Sequence, residues 1–105
     1  MIRLGGHTIP ADGRTRILGI VNNTPDSFYD GGRHFGVERA IEHGRALILA
    51  GADLLDVGGQ TGQIGREIAV REEVERVVPV IAGLGEACVS VDTYRAAVAA
   101  EALAC

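Results

Sequence analysis

With 105 residues, 47% of them hydrophobic, the chain can bury one modest core, which argues against disorder and fits one small domain or part of a larger one. The net charge is −4 and the ten cationic residues are all isolated Arg, which argues against nucleic-acid binding through phosphate neutralisation. No apolar run approaches the roughly 20 residues that a membrane span requires, and 15 glycines with only 4% aromatic residues suit tight βα turns better than an aromatic-rich sandwich.

Residues 1–9 read as a small hairpin, Ile2-Arg3-Leu4 and His7-Thr8-Ile9 around Gly5-Gly6, because paired glycines supply the positive φ angles of a two-residue turn. Strands this short do not stand alone, so the hairpin is expected to cover one end of a core. A polar link over 10–14 leads to a first strand at about 15–21, whose near-continuous apolar character suits burial on both faces of a parallel sheet. The chain then turns abruptly polar. Asn22, Asn23, Thr24, Pro25, Asp26, Ser27, Asp30, Gly31 and Gly32 are denser in functional groups than a surface turn needs, and a strand end feeding such a loop is how parallel α/β folds build sites.

A helix follows at about 37–50, with Val37, Ala40, Ile41, Gly44 and Ile48 on one stripe, Leu47 beside it, and Gly51 placed as its left-handed cap. Strand two is expected at 53–57, closed by Gly58-Gly59 and a polar loop to about residue 69. Helix two covers about 71–84 with Val70, Val74, Val77, Val78, Ile81 and Leu84 inward, and Pro79 is expected to kink or split it. Strand three is 88–91, and an alanine-rich helix begins near Thr93. The two cysteines, Cys88 and Cys105, lack metal-ligand spacing and read as reduced thiols of a cytoplasmic protein.

The order βαβαβα implies parallel strands with right-handed crossovers. Three units leave two open sheet edges, so the expected fold class is α/β, the first three βα units of a (β/α)8 barrel of about 250 residues, preceded by the hairpin. On this reading residues 1–105 are one partial barrel, with the hairpin over 1–14 and the βα units from 15 onward.

In a barrel, the strand ends carrying Asn22, Asp56 and Asp92 share one face. The two carboxylates suit a polar, nitrogen-rich ring, and the Asn22 oxygen suits Mg²⁺ beside phosphate. Each also has a plainer reading: Asp92 as the cap of helix three, Asp56 as a satisfied buried carboxylate, Asp30 as a turn residue. Phe28 and Tyr29 either close over an aromatic ligand or pack the loop down. His7, His34 and His43 show no ligand spacing.

The run from Gly19 to Gly32 (Gly-Ile-Val-Asn-Asn-Thr-Pro-Asp-Ser-Phe-Tyr-Asp-Gly-Gly) resembles the first signature of the dihydropteroate synthase family. Gly51-Ala52-Asp53-Leu54-Leu55-Asp56-Val57-Gly58-Gly59 resembles the start of its second, and Ser90-Val91-Asp92-Thr93 its third-strand motif. The resemblance implies a pterin-binding barrel that condenses 6-hydroxymethyl-7,8-dihydropterin diphosphate with 4-aminobenzoate, giving dihydropteroate and pyrophosphate in folate synthesis. It further implies Asn22 as an Mg²⁺ ligand, Asp92 as a pterin contact, Asp30 and Asp92 as stabilisers of developing positive charge, and Phe28 as a wall of the aminobenzoate pocket. Family members commonly dimerise, so the whole protein is expected to be a homodimer, with small-molecule partners and neither nucleic acid nor membrane.

The second loop departs from the family pattern Gly-Gly-Glu-Ser-Thr-Arg-Pro-Gly: here Gly58-Gly59 is followed by Gln60-Thr61-Gly62-Gln63-Ile64-Gly65. Gln63 cannot supply a guanidinium fork, so Thr61 and Arg66 become the candidate substrate contacts on this loop. Asn23 also stands where the family is usually apolar. Two alternatives follow: a pterin-binding paralogue without synthase activity, and a fragment acting only through association at exposed strand edges. With no Lys, which the family uses on a later strand, the 105 residues alone are expected to be inactive.

Overall fold

The polar link after the first hairpin delivers the chain into a three-stranded parallel sheet whose two faces differ sharply in exposure. A computed structural model of the chain describes residues 2–4, 6–23, 32–59 and 68–105. In the hairpin, β1 (Ile2–Leu4) pairs antiparallel with β2 (His7–Ile9), Ile2 opposite Ile9. His7 Nε2 lies 2.8 Å from the Glu86 carbonyl, which ties the hairpin to the turn before residue 88, while His7 and Thr8 stay exposed.

The parallel sheet takes β3 (Leu18–Asn22), β4 (Leu54–Gly58) and β5 (Val89–Asp92) in sequence order. Between and after them run α1 (Gly32–Leu49), α2 (Val70–Gly83) and α3 (Ala96–Ala104). At the entry to the sheet, Asp53 accepts the Ile17 N–H at 2.8 Å and faces Arg14 and Arg16 at 3.4 and 3.9 Å. The exposed Asp12 carboxyl is held below its usual range, first by the Arg14 backbone N–H and then by the Arg16 guanidinium. A lowered carboxylate adds its stability above the ordinary range and loses it only as pH falls through the lowered value.

Strand side chains alternate between faces, and here the alternation decides the architecture. Val21, Leu55 and Val57 are fully buried under α1 and α2 together with Ala40, Val77, Val80 and Leu84, with Val89 and Val91 packed against them. On the other face Leu18 and Ile20 stay 48% and 58% exposed. The expected burial of strand one on both faces is therefore corrected: one face alone is covered by the described residues. Sequential strand order with successive helices on one side of a parallel sheet is the arrangement of consecutive units of a (β/α)8 barrel.

Several boundaries also move. Helix one starts at Gly32 rather than 37. Gly32 stands in the polar stretch expected to be a loop, and glycine is a weak helix former, yet the helix includes it, and Gly36 is buried. Of its stripe Val37, Ala40, Ile41 and Gly44 face inward, as does Leu47 beside it, while Ile48 is 39% exposed. Helix two runs unbroken through Pro79, which sits on its exposed side, where the carbonyl that loses a donor can meet water. Helix three begins at Ala96, because Thr93 Oγ1 accepts the Arg95 N–H at 3.2 Å and Arg95 stays extended.

Gly51 does cap α1 with φ 118°: its N–H reaches the Ile48 carbonyl and that of Ala52 the Leu47 carbonyl, a Schellman pair. Gly44 has a different role. A Cβ there would meet Leu84 Cδ2 at 2.8 Å and Leu55 Cδ1 at 3.2 Å, so its bare backbone is what lets α1 approach the sheet and α2. Gly44→Ala in the whole protein is expected to lose about 1–3 kcal/mol through overpacking, despite the gain of up to about 1 kcal/mol from helix propensity. A denaturant midpoint at or above that of the unsubstituted protein would contradict this.

Candidate functional site

The parallel register aligns the strand ends. Asn22 pairs with Gly58 and Gly58 with Asp92, so these three form one row across the C-terminal edge of the sheet. The row two residues back is Ile20, Asp56 and Ser90, on the same open face. Gly58 has no side chain, and the space above it is used by its neighbours. A Cβ there would lie 3.3 Å from Asn22 Oδ1 and 3.5 Å from Asp92 Oδ2. An amide oxygen and a carboxylate oxygen thus flank one point. One row beneath, Asp56 Oδ1 accepts the Ser90 hydroxyl at 2.7 Å, which leaves the half-buried carboxylate oriented and still able to accept further N–H groups.

The strand ends are held from below by the first two turns of α2. Asn23 is 4% exposed, its N–H donates to the Gly58 carbonyl at 2.9 Å, and its Nδ2 donates to the Arg76 carbonyl at 3.1 Å. The buried Arg76 donates from Nη1 to the Gly59 carbonyl at 3.1 Å and from Nη2 to Glu72 Oε1 at 2.6 Å. Glu73, fully buried, faces Arg95 Nη1 at 3.3 Å. Gly59 lies directly on this helix: a Cβ there would come within 3.0 Å of Val77 and 3.2 Å of Arg76 Cβ.

Of the residues singled out from the sequence, Asn22, Asp56 and Asp92 are brought together on one face. Asp92 completes β5 and is not the cap of α3, whose N-cap position is Arg95. Asp30, Phe28, Thr61 and Arg66 lie outside the described residues. Sequence reasoning missed Asn23, Glu73, Arg76 and Arg95 as a group. Glu73 falls four residues before Val77 and Arg76 four before Val80, on the inward stripe of α2, and charge at such positions was the available signal.

Chemically the row offers acceptors. Ring N–H and amino groups suit Asp92 and Asp56, and a neutral oxygen beside a carboxylate suits a hard cation. Among the described residues no group of three or more His, Cys, Asp or Glu side chains comes together. A cation here would therefore take most of its ligands from water and a bound anion, which is how Mg²⁺ is usually held next to phosphates. No helix among the described residues is long and apolar enough to cross a membrane.

Comparison with known proteins fits this geometry. The family model described as Pterin binding enzyme matches residues 18–105. A dihydropteroate synthase of Clostridium beijerinckii is 42% identical over 106 residues, covering 97% of this chain and 39% of its own length. A probable bifunctional folylpolyglutamate synthase/dihydropteroate synthase of Haloferax volcanii is 44% identical over 102 residues, 94% of this chain and 12% of that protein. The solved structure of Xanthomonas albilineans dihydropteroate synthase with 4-aminobenzoic acid superposes with a TM-score of 0.78 at 48% identity, over 88% of this chain and 36% of that one. The chain thus spans well under half the length of these relatives.

Ion pairs of different burial should differ in weight. In the whole protein Arg95→Met, which strips a partner from the buried Glu73, is expected to lower unfolding free energy by about 1.5–3 kcal/mol. Arg71→Met breaks the exposed Arg71–Glu101 pair at 3.5 Å and is expected to cost under about 1 kcal/mol. Equal urea midpoints for the two variants would contradict the assignment.

Proposed function

The chain belongs to the pterin binding enzyme family, and from that premise we propose that the whole protein is a dihydropteroate synthase to which this stretch contributes the first three strand ends of the barrel. Its reaction joins 6-hydroxymethyl-7,8-dihydropterin diphosphate to 4-aminobenzoate. The bond from the exocyclic methylene carbon to the diphosphate oxygen breaks, its electron pair leaving with pyrophosphate. The aminobenzoate nitrogen bonds to that carbon and releases a proton.

The observation that carries this reading is the pair of oxygens, Asn22 Oδ1 and Asp92 Oδ2, converging on the point where a Gly58 side chain would stand. Positive charge grows on the pterin as diphosphate departs, and a fixed carboxylate beside it stabilises that charge without reorganising. Asp92 takes this role in the proposed reaction, its position at the sheet's open C-terminal edge supporting it, with Asp56 one row deeper as an acceptor for pterin N–H groups. Mg²⁺, when bound, supplies positive charge against the departing phosphates, and Asn22 Oδ1 is its proposed protein ligand. Asp30 with Asp92 on the developing charge and Phe28 on the aminobenzoate rest on the family resemblance; Thr61 is a further substrate contact, and Arg66, by its position on the second loop, takes the place of the loop Arg that Gln63 replaces. A cytoplasmic homodimer is proposed on the same ground.

The whole protein titrated calorimetrically with a pterin diphosphate analogue is expected to require Mg²⁺, and Asn22→Ala is expected to weaken that binding by at least about tenfold. Asp92→Asn is expected to lower kcat roughly 10²- to 10³-fold, as loss of one preorganised charge-stabilising group does. Pterin binding indifferent to both Mg²⁺ and the diphosphate would overturn the synthase reading in favour of a paralogue that binds pterin without the chemistry.

A further inference from the structure

Each residue of the row Asn22–Gly58–Asp92 is followed, within three residues, by a contact to the same four-residue stretch of α2. Asn23 reaches the Arg76 carbonyl, Gly59 accepts the Arg76 guanidinium, and Arg95 meets Glu73. Among the described residues Arg76 joins two of the three strand ends, one through its backbone and one through its side chain, and its second guanidinium nitrogen is fixed by Glu72 at 2.6 Å. Its side chain is 8% exposed, so it contacts solvent too little to meet a substrate directly.

We propose that Arg76 is a positioning residue: by holding Gly59 and, through its own backbone, Asn23, it sets the separation of the Asn22 and Asp92 oxygens above Gly58. The physical reason lies in the register. Asn22 and Asp92 belong to strands that do not pair with each other, and only Gly58 connects them. Beyond that row the strand ladder stops, and whatever fixes the next residue fixes the aim of the side chain before it. Glycine at both 58 and 59 supplies no side-chain packing of its own, so the Gly59 carbonyl is the handle available to α2. Arginine suits the task because its planar fork can donate to Gly59 and Glu72 at once, which a lysine ammonium on a flexible stem does with far less directional definition.

This rests on the synthase reading only for the identity of the ligand, and the test separates the two. Arg76→Met and Arg76→Lys are made in the whole protein, with Leu84→Ala, at the opposite end of α2, as a control of comparable destabilisation. Two readouts are taken: hydrogen exchange of the Asn23 amide, which donates to Gly58, and calorimetric affinity for the pterin diphosphate analogue with Mg²⁺. Arg76→Met is expected to speed Asn23 exchange and weaken the analogue each by at least about tenfold. Arg76→Lys should recover part of both, and Leu84→Ala should leave Asn23 exchange and affinity within about threefold of the unsubstituted protein.

Unchanged Asn23 exchange in Arg76→Met would overturn the proposal, as would faster exchange with undiminished affinity, or an equal response in Leu84→Ala. If the unsubstituted protein fails to bind the analogue, the synthase reading falls, and the exchange arm alone decides the role of Arg76.

Discussion

A slip of one residue in either strand pairing would turn Asn22 or Asp92 from the open face of the sheet to the face covered by helices. Side chains in a strand alternate with a period of two, so register and site are the same constraint. The register is specified by burial: Val21, Leu55 and Val57 are fully enclosed, and a slipped strand would present Asn22, Asp56 or Asp92 to that apolar layer instead. Burying an unpaired carboxylate costs several kcal/mol, more than the pairing of a four- or five-residue strand is worth. The hydrophobic layer thus aims the polar groups it never touches.

The close approach of helices to this sheet depends on missing side chains. Gly44 lets α1 lie on Leu55 and Leu84, a Cβ at Gly19 would come within 3.0 Å of Leu47, and between the helices a Cβ at Gly83 would overlap Ile41. At the strand ends the same device serves the site. Gly58 leaves its side-chain position to Asn22 and Asp92, and Gly59 lets α2 bring Glu73 and Arg76 close beneath the strand end. Small residues thus link packing to chemistry: where the backbone is bare, either a helix or a ligand can come close.

Much of this was legible in the residues because it follows from patterns with fixed periods. The hairpin, the three strands to within a few residues, the Gly51 cap and the grouping of Asn22, Asp56 and Asp92 all come from alternation, helical stripes and turn chemistry. The start of α1 was not legible, because Gly32 stands in a polar stretch expected to be a loop and glycine is a weak helix former. The start of α3 was hidden by Thr93, whose hydroxyl makes a local turn that competes with the helix. The anchoring of the strand ends by Arg76 and Glu73 was missed for a different reason. Their partners are backbone groups and side chains 17 to 53 residues away in sequence, and no local pattern announces such pairs. Asn23 shows the point well: an amide at a usually apolar position reads as divergence, whereas it is buried and bonded to α2.

The most direct test of the account is a crystal structure of the whole protein with Mg²⁺ and a pterin diphosphate analogue. The account predicts the pterin ring over Gly58 with a ring nitrogen or amino group within hydrogen-bond distance of Asp92, and the metal within ligand distance of Asn22 Oδ1. An analogue bound with Asp92 out of contact and Asn22 turned from the phosphates would contradict it.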